Sequence, residues 1–282
     1  MGNANFIKIG HRGACGYEPE NTLSSFKKAL ELGVDMIECD VWMTKDNKIV
    51  VIHDSTLNRT TNGVGLVADY TYEELTKFTI KKTEKIPLLV EVLELTRGKV
   101  KFNIEVKTKA VGKYLAQEIL DSNFPITDIL VSSNDIPTIQ YIQKKIPELK
   151  IAWVFRAVDN PPVYVKVIKK LIILTFKLRR YFPFLQIGWL IKLLTYPIGQ
   201  LIWGMAMLGI LPLTHFIIIE RLLNKQINSI SLYYLLVTKG LIKRLHKFDK
   251  NVLLFTVNNK KRIKKYKSWG VDGIFSNFPD RL

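Results

Sequence analysis

Cysteine is nearly absent. The chain has two, Cys15 and Cys39, in 282 residues, too few for a disulfide framework, so stapled secreted scaffolds are excluded and a reducing compartment is expected. No secretion leader is expected either, because Met1–Asn5 runs straight into an apolar strand-like segment, and a chain that is not secreted is the expectation. Gly2 is a poor myristoyl acceptor, since position 6 is Phe rather than Ser or Thr. Acidic residues are scarce in one half only. Residues 1–155 hold 20 Lys+Arg and 20 Asp+Glu, whereas residues 156–282 hold 22 and 5, so the whole net charge of +17 lies in the second half. Such one-sided charge predicts a polyanionic neighbour, nucleic acid or an anionic membrane face. The basic residues are interleaved with long aliphatic and aromatic runs, which favours the membrane.

At 48% apolar composition the chain can bury a full core, and a (β/α)8 barrel needs about 250 residues. Strand-like runs fall at Phe6–Ile9, Met36–Val41, Val100–Val106, Ile129–Ser132, Ile151–Phe155, Ser229–Leu232, Val252–Val257 and Gly273–Phe275. Helical patterns fill most gaps: Thr22–Leu32, Val111–Asp121, Ile136–Lys145, Tyr233–Phe248 and Asn259–Trp269. Alternation of this kind predicts parallel βαβ units, and eight strands predict an α/β TIM barrel forming one domain over residues 1–282. Ile49–Ile52 follows Val41 across a turn too short for a parallel crossover, so it reads as the return arm of a hairpin. It opens a small excursion after the second barrel strand, over residues 54–100, and a hydrophobic, basic insertion follows the fifth strand, over residues 157–227. Asn21 or Thr22 caps the first helix and Gly33 ends it.

Two histidines and three carboxylates stand at or just after these strands: His11, Glu38, Asp40, His53 and Glu105. A period of two puts Glu38 and Asp40 on one strand face, with Ile37, Cys39 and Val41 on the other; Asn103, Glu105 and Lys107 likewise share a face. In a barrel these faces point inward near the C-terminal mouth. Three carboxylates there require a compensating cation, and oxygen ligands suit one Mg²⁺ or Ca²⁺, with Mn²⁺ a further option. The alternative is a buried ion network with Arg12 and Lys107. His11 and His53 form the expected acid–base pair, since imidazole titrates near neutrality. Arg12 and Lys107 are expected to hold a phosphate's nonbridging oxygens. His215 and His246 stand in no such context and read as structural. Cys39 reads as core.

The segments GHRGACGYEPENTLSSFKKALELGVDMIECDV (10–41), TKDNKIVVIHDSTLNRTTNGVG (44–65) and NIEVK (103–107) resemble the glycerophosphodiester phosphodiesterase family. FTVNNKKRIKKYKSWGVDGIFSNFP (255–279) is similar to its C-terminal signature. The resemblance implies metal-dependent hydrolysis of a glycerophosphodiester to glycerol 3-phosphate and an alcohol, through attack by the neighbouring glycerol hydroxyl and a cyclic phosphate. Phe255 stands where many members have Trp, lining the glycerol pocket or belonging to the core. Glu20 braces Arg12 or is a plain loop carboxylate. Arg59–Gly63 reads chiefly as a turn, with substrate contact as the alternative; Asn258 is left open.

The resemblance implies no counterpart for residues 157–227 in the compact soluble members. Within them 163–180 carries six cations on an apolar backbone, and 193–219 is wholly uncharged. The latter is long enough for a bilayer, which takes about 20 residues, but both ends of the insertion must rejoin the barrel on one side. The expectation is a monotopic attachment to an anionic membrane through residues 163–225, at the cytoplasmic face, and a lysophospholipid substrate as in lysophospholipase D-like relatives. A water-soluble glycerophosphodiester and a non-catalytic membrane adaptor are the rival readings, and cleavage that stops at a cyclic phosphate is a third. A soluble subdomain or dimer interface is the rival for the insertion. Nucleic-acid binding through 259–267 is not expected, since that run reads as a solvated helix face.

Overall fold

Every barrel strand is short and apolar on its outer face, and the eight close on themselves. In the computed structural model, which describes residues 6–155 and 226–282, these are β1 (Ile7–Gly10), β2 (Met36–Met43), β4 (Lys101–Val106), β5 (Ile129–Ser133), β6 (Lys150–Phe155), β7 (Ser229–Tyr233), β8 (Asn251–Phe255) and β9 (Gly273–Ser276). They pair in parallel in sequence order, and β1 meets both β2 and β9 to complete the TIM barrel. A short β3 (Ile49–Val51) adds antiparallel to the far end of β2, Val41 opposite Val51, as a hairpin arm must. Seven helices surround the barrel among the described residues: α1 (Leu23–Glu31), α2 (Tyr72–Leu75), α3 (Leu89–Thr96), α4 (Lys109–Asp121), α5 (Ile136–Lys145), α6 (Lys239–His246) and α7 (Lys260–Trp269).

The two faces of each strand have different partners. Ile37, Cys39 and Val41 join Phe26, Ala29, Ile104 and Val106 in the large core between sheet and helices. Ile9, Met36, Leu130, Ala152, Leu253 and Phe275 fill the barrel's inside. That apolar plug forms the floor on which inward polar side chains rest. The excursion after β2 has its own small core of Val50, Ile52, Leu57, Val67, Leu75, Ile80 and Ile86, large enough to fix the loop that carries His53.

Two local expectations are revised. The helix expected over Tyr233–Phe248 begins only at Lys239, because β7 continues to Tyr233, a 3-10 turn occupies Tyr234–Leu236, and Thr238 supplies the N-cap to Leu241 N. Of the two candidate caps on α1, Thr22 is the one used, accepting from Ser25 N. No helix among the described residues is long and apolar enough to cross a membrane. The expectations for residues 157–225 lie outside the described residues.

Candidate active site

Strand register assembles the acidic group. Glu38 sits opposite Asn103 and Asp40 opposite Glu105 across β2 and β4. One carboxylate oxygen from each of Glu38, Asp40 and Glu105 lies within 4.8 Å of the other two. Their charges are partly balanced. Lys107 Nζ donates to Asp40 Oδ1 at 2.7 Å and to Glu105 Oε1 at 2.5 Å. Asn21 Nδ2 donates to Asp40 Oδ2 at 2.9 Å. Arg12 Nε stands 3.2 Å from Asp40 Oδ2 but outside hydrogen-bonding geometry, so that contact is ionic attraction only. Burial opposes ionisation of Asp40, yet Lys107 and Arg12 hold its carboxyl well below the usual range.

Glu38 is left differently. Its Oε2 accepts from Arg12 N at 2.8 Å, but Oε1 is buried and has no hydrogen-bond partner. Burial first, then the neighbouring Asp40 and Glu105, push its pKa well above the usual value. A buried acceptor without a donor is costly, and neither Lys107 nor Arg12 satisfies it. The all-oxygen donor set and this orphaned atom fit a hard divalent cation held by Glu38, Asp40 and Glu105. The ion-network alternative accounts for Asp40 and Glu105 and leaves Glu38 unexplained.

The loop after β1 is shaped to place its residues. Arg12 and Gly13 both adopt positive φ, 52° and 82°, which swings Arg12 N–H onto Glu38. A Cβ at Gly13 would meet Ser25 atoms at 2.4 to 2.6 Å, so only glycine allows α1 to approach this turn. His11 N donates to Ser276 O at 3.1 Å, which pins the end of β1 to β9.

Both histidines are fixed through Nδ1. His11 Nδ1 donates to Asn277 Oδ1 at 2.7 Å, and His53 Nδ1 donates to the Asp54 carboxylate at 2.5 Å. Each imidazole therefore keeps Nε2 as its proton-accepting atom. Burial, helped by Arg12, lowers the His11 pKa to about 4. Burial also lowers His53, with Asp40 pulling the other way. The two partners differ in charge. Asp54 is held at about 2 by its hydrogen bond from Arg59, so His53 rests on a fixed anion and His11 on a neutral amide.

Arg59 extends this into a continuous charged chain. It donates from Nε to Asp54 Oδ2 at 2.6 Å, and from Nη1 and Nη2 to Glu20 at 2.8 and 2.6 Å. Glu20 Oε1 in turn accepts from Arg12 Nη1 at 2.8 Å. The chain runs His53–Asp54–Arg59–Glu20–Arg12 and ends beside Asp40. We expect Arg59→Met to lower kcat about 10- to 100-fold with KM nearly unchanged, as loss of an orienting partner does, and Arg59→Lys to restore part of it. Steady-state kinetics on both variants check this; an unaltered kcat would separate Arg59 from the site.

Phe255 lies half-buried at the end of β8, 6.3 Å from the Tyr233 ring, at the barrel mouth. Asn258 Oδ1 accepts from Asn277 N at 2.9 Å, which steadies the residue that holds His11. Sequence reasoning missed three participants: Asn277, Asp54 and the inward role of Asn21. Asp54 is adjacent to His53 and a histidine–carboxylate pair was a usable signal. Asn277 offered none, because its partner lies 266 residues away.

The model of the glycerophosphoryl diester phosphodiesterase family matches residues 11–170 and 190–281. A glycerophosphodiester phosphodiesterase of Bacillus altitudinis is 32% identical over 287 aligned positions, covering 97% of this chain and 95% of that protein. A lysophospholipase D of Homo sapiens is 32% identical over 162 positions, 48% of this chain and 52% of its own length. In fold, the chain is similar to an Oleispira antarctica phosphodiesterase solved with sn-glycerol-3-phosphate, with a TM-score of 0.69 at 21% identity, covering 97% of this chain and 93% of that one. The chain belongs to the glycerophosphoryl diester phosphodiesterase family and is a phosphoric diester hydrolase.

Proposed function

We propose that this enzyme hydrolyses a glycerophosphodiester with a divalent cation, Mg²⁺ or Ca²⁺ (Mn²⁺ as the further option), held by Glu38, Asp40 and Glu105. The supporting observation is the pairing of an oxygen-only acidic group, one of its oxygens orphaned, with two histidines whose Nδ1 atoms are both occupied. When bound, the cation supplies Lewis-acid stabilisation of charge on the phosphoryl oxygens. Arg12 and Lys107 hold nonbridging oxygens and Phe255 lines the glycerol side. His53 Nε2 takes the proton of the attacking hydroxyl, and Asp54 stabilises the imidazolium that results. His11 returns a proton to the leaving alkoxide. The phosphodiester anion raises the pKa of His11 toward the protonated form, because a nearby opposite charge favours it. Attack of the neighbouring glycerol hydroxyl on phosphorus expels the alcohol and leaves a cyclic glycerol phosphate. Water, giving its proton to His11, then opens the ring while His53 returns its proton to the freed ring oxygen, so the products are glycerol 3-phosphate and the alcohol.

The finer reading is a lysophospholipid substrate, delivered by monotopic attachment of residues 163–225 to an anionic membrane at the cytoplasmic face. It is supported by the charge and apolarity of that segment and by likeness to the human lysophospholipase D. A water-soluble substrate such as glycerophosphocholine is the second reading, supported by the fuller likeness to the Bacillus altitudinis enzyme. Choline release from lysophosphatidylcholine and from glycerophosphocholine, measured side by side, separates them. At least tenfold higher kcat/KM on the lysolipid is the expected result; preference for glycerophosphocholine would reduce the segment to an anchor.

A further inference from the structure

Each outer helix of a barrel buries one stripe and exposes the other, and on α6 and α7 the exposed stripe is almost wholly cationic. On α6 and its C-cap the exposed positions are Lys239, Gly240, Lys243, Arg244 and Lys247. On α7 the corresponding exposed positions, 21 residues later, are Lys260, Lys261, Lys264, Lys265 and Ser268. A further exposed cation, Arg262, is turned onto the Tyr234 ring, 5.0 Å from its centroid. The helices flank β8, which lies between β7 and β9 in the sheet, so they are consecutive around the barrel. Their stripes make one surface of eight cations.

Neither helix carries an acidic residue. Among the described residues none of the eight forms an ion pair. Two other outer helices mix their charges: α1 pairs Lys28 with Glu31 at 3.0 Å, and α4 sets Glu118 and Asp121 among its lysines. On α6 and α7 the i,i+4 neighbours Lys239–Lys243, Lys243–Lys247, Lys260–Lys264 and Lys261–Lys265 are all like-charged and repel. Folding gains nothing from that repulsion, and a polyanion relieves it.

We propose that the α6–α7 flank is a docking face for an anionic lipid bilayer. Seven of the eight cations are Lys, a compact point charge suited to a plane of headgroups rather than to bidentate recognition. Stacking of nucleobases needs exposed rings, yet Tyr266 is buried, Trp269 has Lys265 Nζ 4.6 Å from its ring centroid, and Tyr234 carries Arg262 at 5.0 Å. Just beyond α6, Phe248 is 42% exposed and gives this end an apolar residue to place at the interface, beside one exposed acid, Asp249. The face lies outside residues 163–225 and does not depend on the substrate being a lipid.

The test is sedimentation of the full chain with phosphatidylglycerol–phosphatidylcholine vesicles and with pure phosphatidylcholine vesicles. Wild type should prefer the anionic vesicles and release them as salt rises. The variant K243E/K247E/K264E/K265E should bind them at least about a hundredfold more weakly, given the contribution of each basic residue near such a surface. Its turnover of glycerophosphocholine should match wild type, which keeps this result separate from the catalytic reading. Should the reversed variant fail to fold, K243Q/K247Q/K264Q/K265Q removes the charge more gently and should still lose binding. Unchanged partition in a folded variant, no preference of wild type for anionic vesicles, or retention on duplex DNA that vesicles fail to compete would each overturn the proposal.

Discussion

Replacing Glu38 with Gln is expected to lower kcat/KM by about three orders of magnitude while leaving the barrel at least as stable. The activity loss follows from removing one of three carboxylates proposed to hold the cation, whose stabilisation of transition-state charge is worth several kcal/mol, roughly tenfold for each 1.4. The stability result has a separate cause. Glu38 is buried, pressed by Asp40 and Glu105, and has one oxygen unpartnered. Glutamine keeps an oxygen for Arg12 N and removes a charge that the interior disfavours. Function and stability thus pull in opposite directions at this residue, as they do where a site holds like charges ready for a ligand. Urea melts beside steady-state kinetics at saturating Mg²⁺ or Ca²⁺ read both quantities. Cation calorimetry should show weaker binding. Full activity in the variant would remove Glu38 from the chemistry.

The histidines should lose comparable rate and differ in what rescues them. His11→Asn and His53→Asn are each expected to lower kcat about 10²- to 10⁴-fold on a substrate with an alkoxide leaving group. The double variant should fall little further than the worse single, because residues acting as a unit are not additive. A substrate with a good leaving group, such as a p-nitrophenyl phosphodiester, needs no proton on departure. His11→Asn should therefore recover most activity on it, and His53→Asn should not. The assignment follows from their partners: the aspartate behind His53 stabilises its imidazolium and favours taking a proton, whereas the neutral Asn277 amide accepts from His11 Nδ1 without balancing a charge, so protonated His11 gives up its Nε2 proton more readily. The reverse pattern of rescue would exchange the two roles and keep the pair.

Much of this site was legible because it obeys a local rule. Alternation along β2 and β4 turns Glu38, Asp40, Asn103, Glu105 and Lys107 inward whatever the rest of the chain does. The same rule placed Cys39 among the outward core residues, where it lies. The contacts that orient the histidines were less legible. Asn277 reaches His11 across the closure of β1 on β9, and Arg59 reaches Glu20 over 39 residues. Such partners are chosen by barrel closure and loop geometry, which no local period encodes. Asn21 shows the same limit at short range. Its side chain type suits a helix cap, but its φ of 58° turns it to Asp40 and leaves the cap to Thr22. The late start of α6 is a third case, since Tyr233–Leu236 has helical composition and is taken instead by the end of β7 and a tight turn.

A divalent cation at Glu38, Asp40 and Glu105 is proposed to be required for cleavage of a glycerophosphodiester. Protein stripped by a chelator and mixed with glycerophosphocholine tests it directly, with choline and glycerol 3-phosphate followed as Mg²⁺ or Ca²⁺ is added back. No turnover is expected before addition, with saturable recovery through one cation in the wild type and about a thousandfold less in Glu38→Gln. Turnover in the chelated protein, undiminished in that variant, would contradict it.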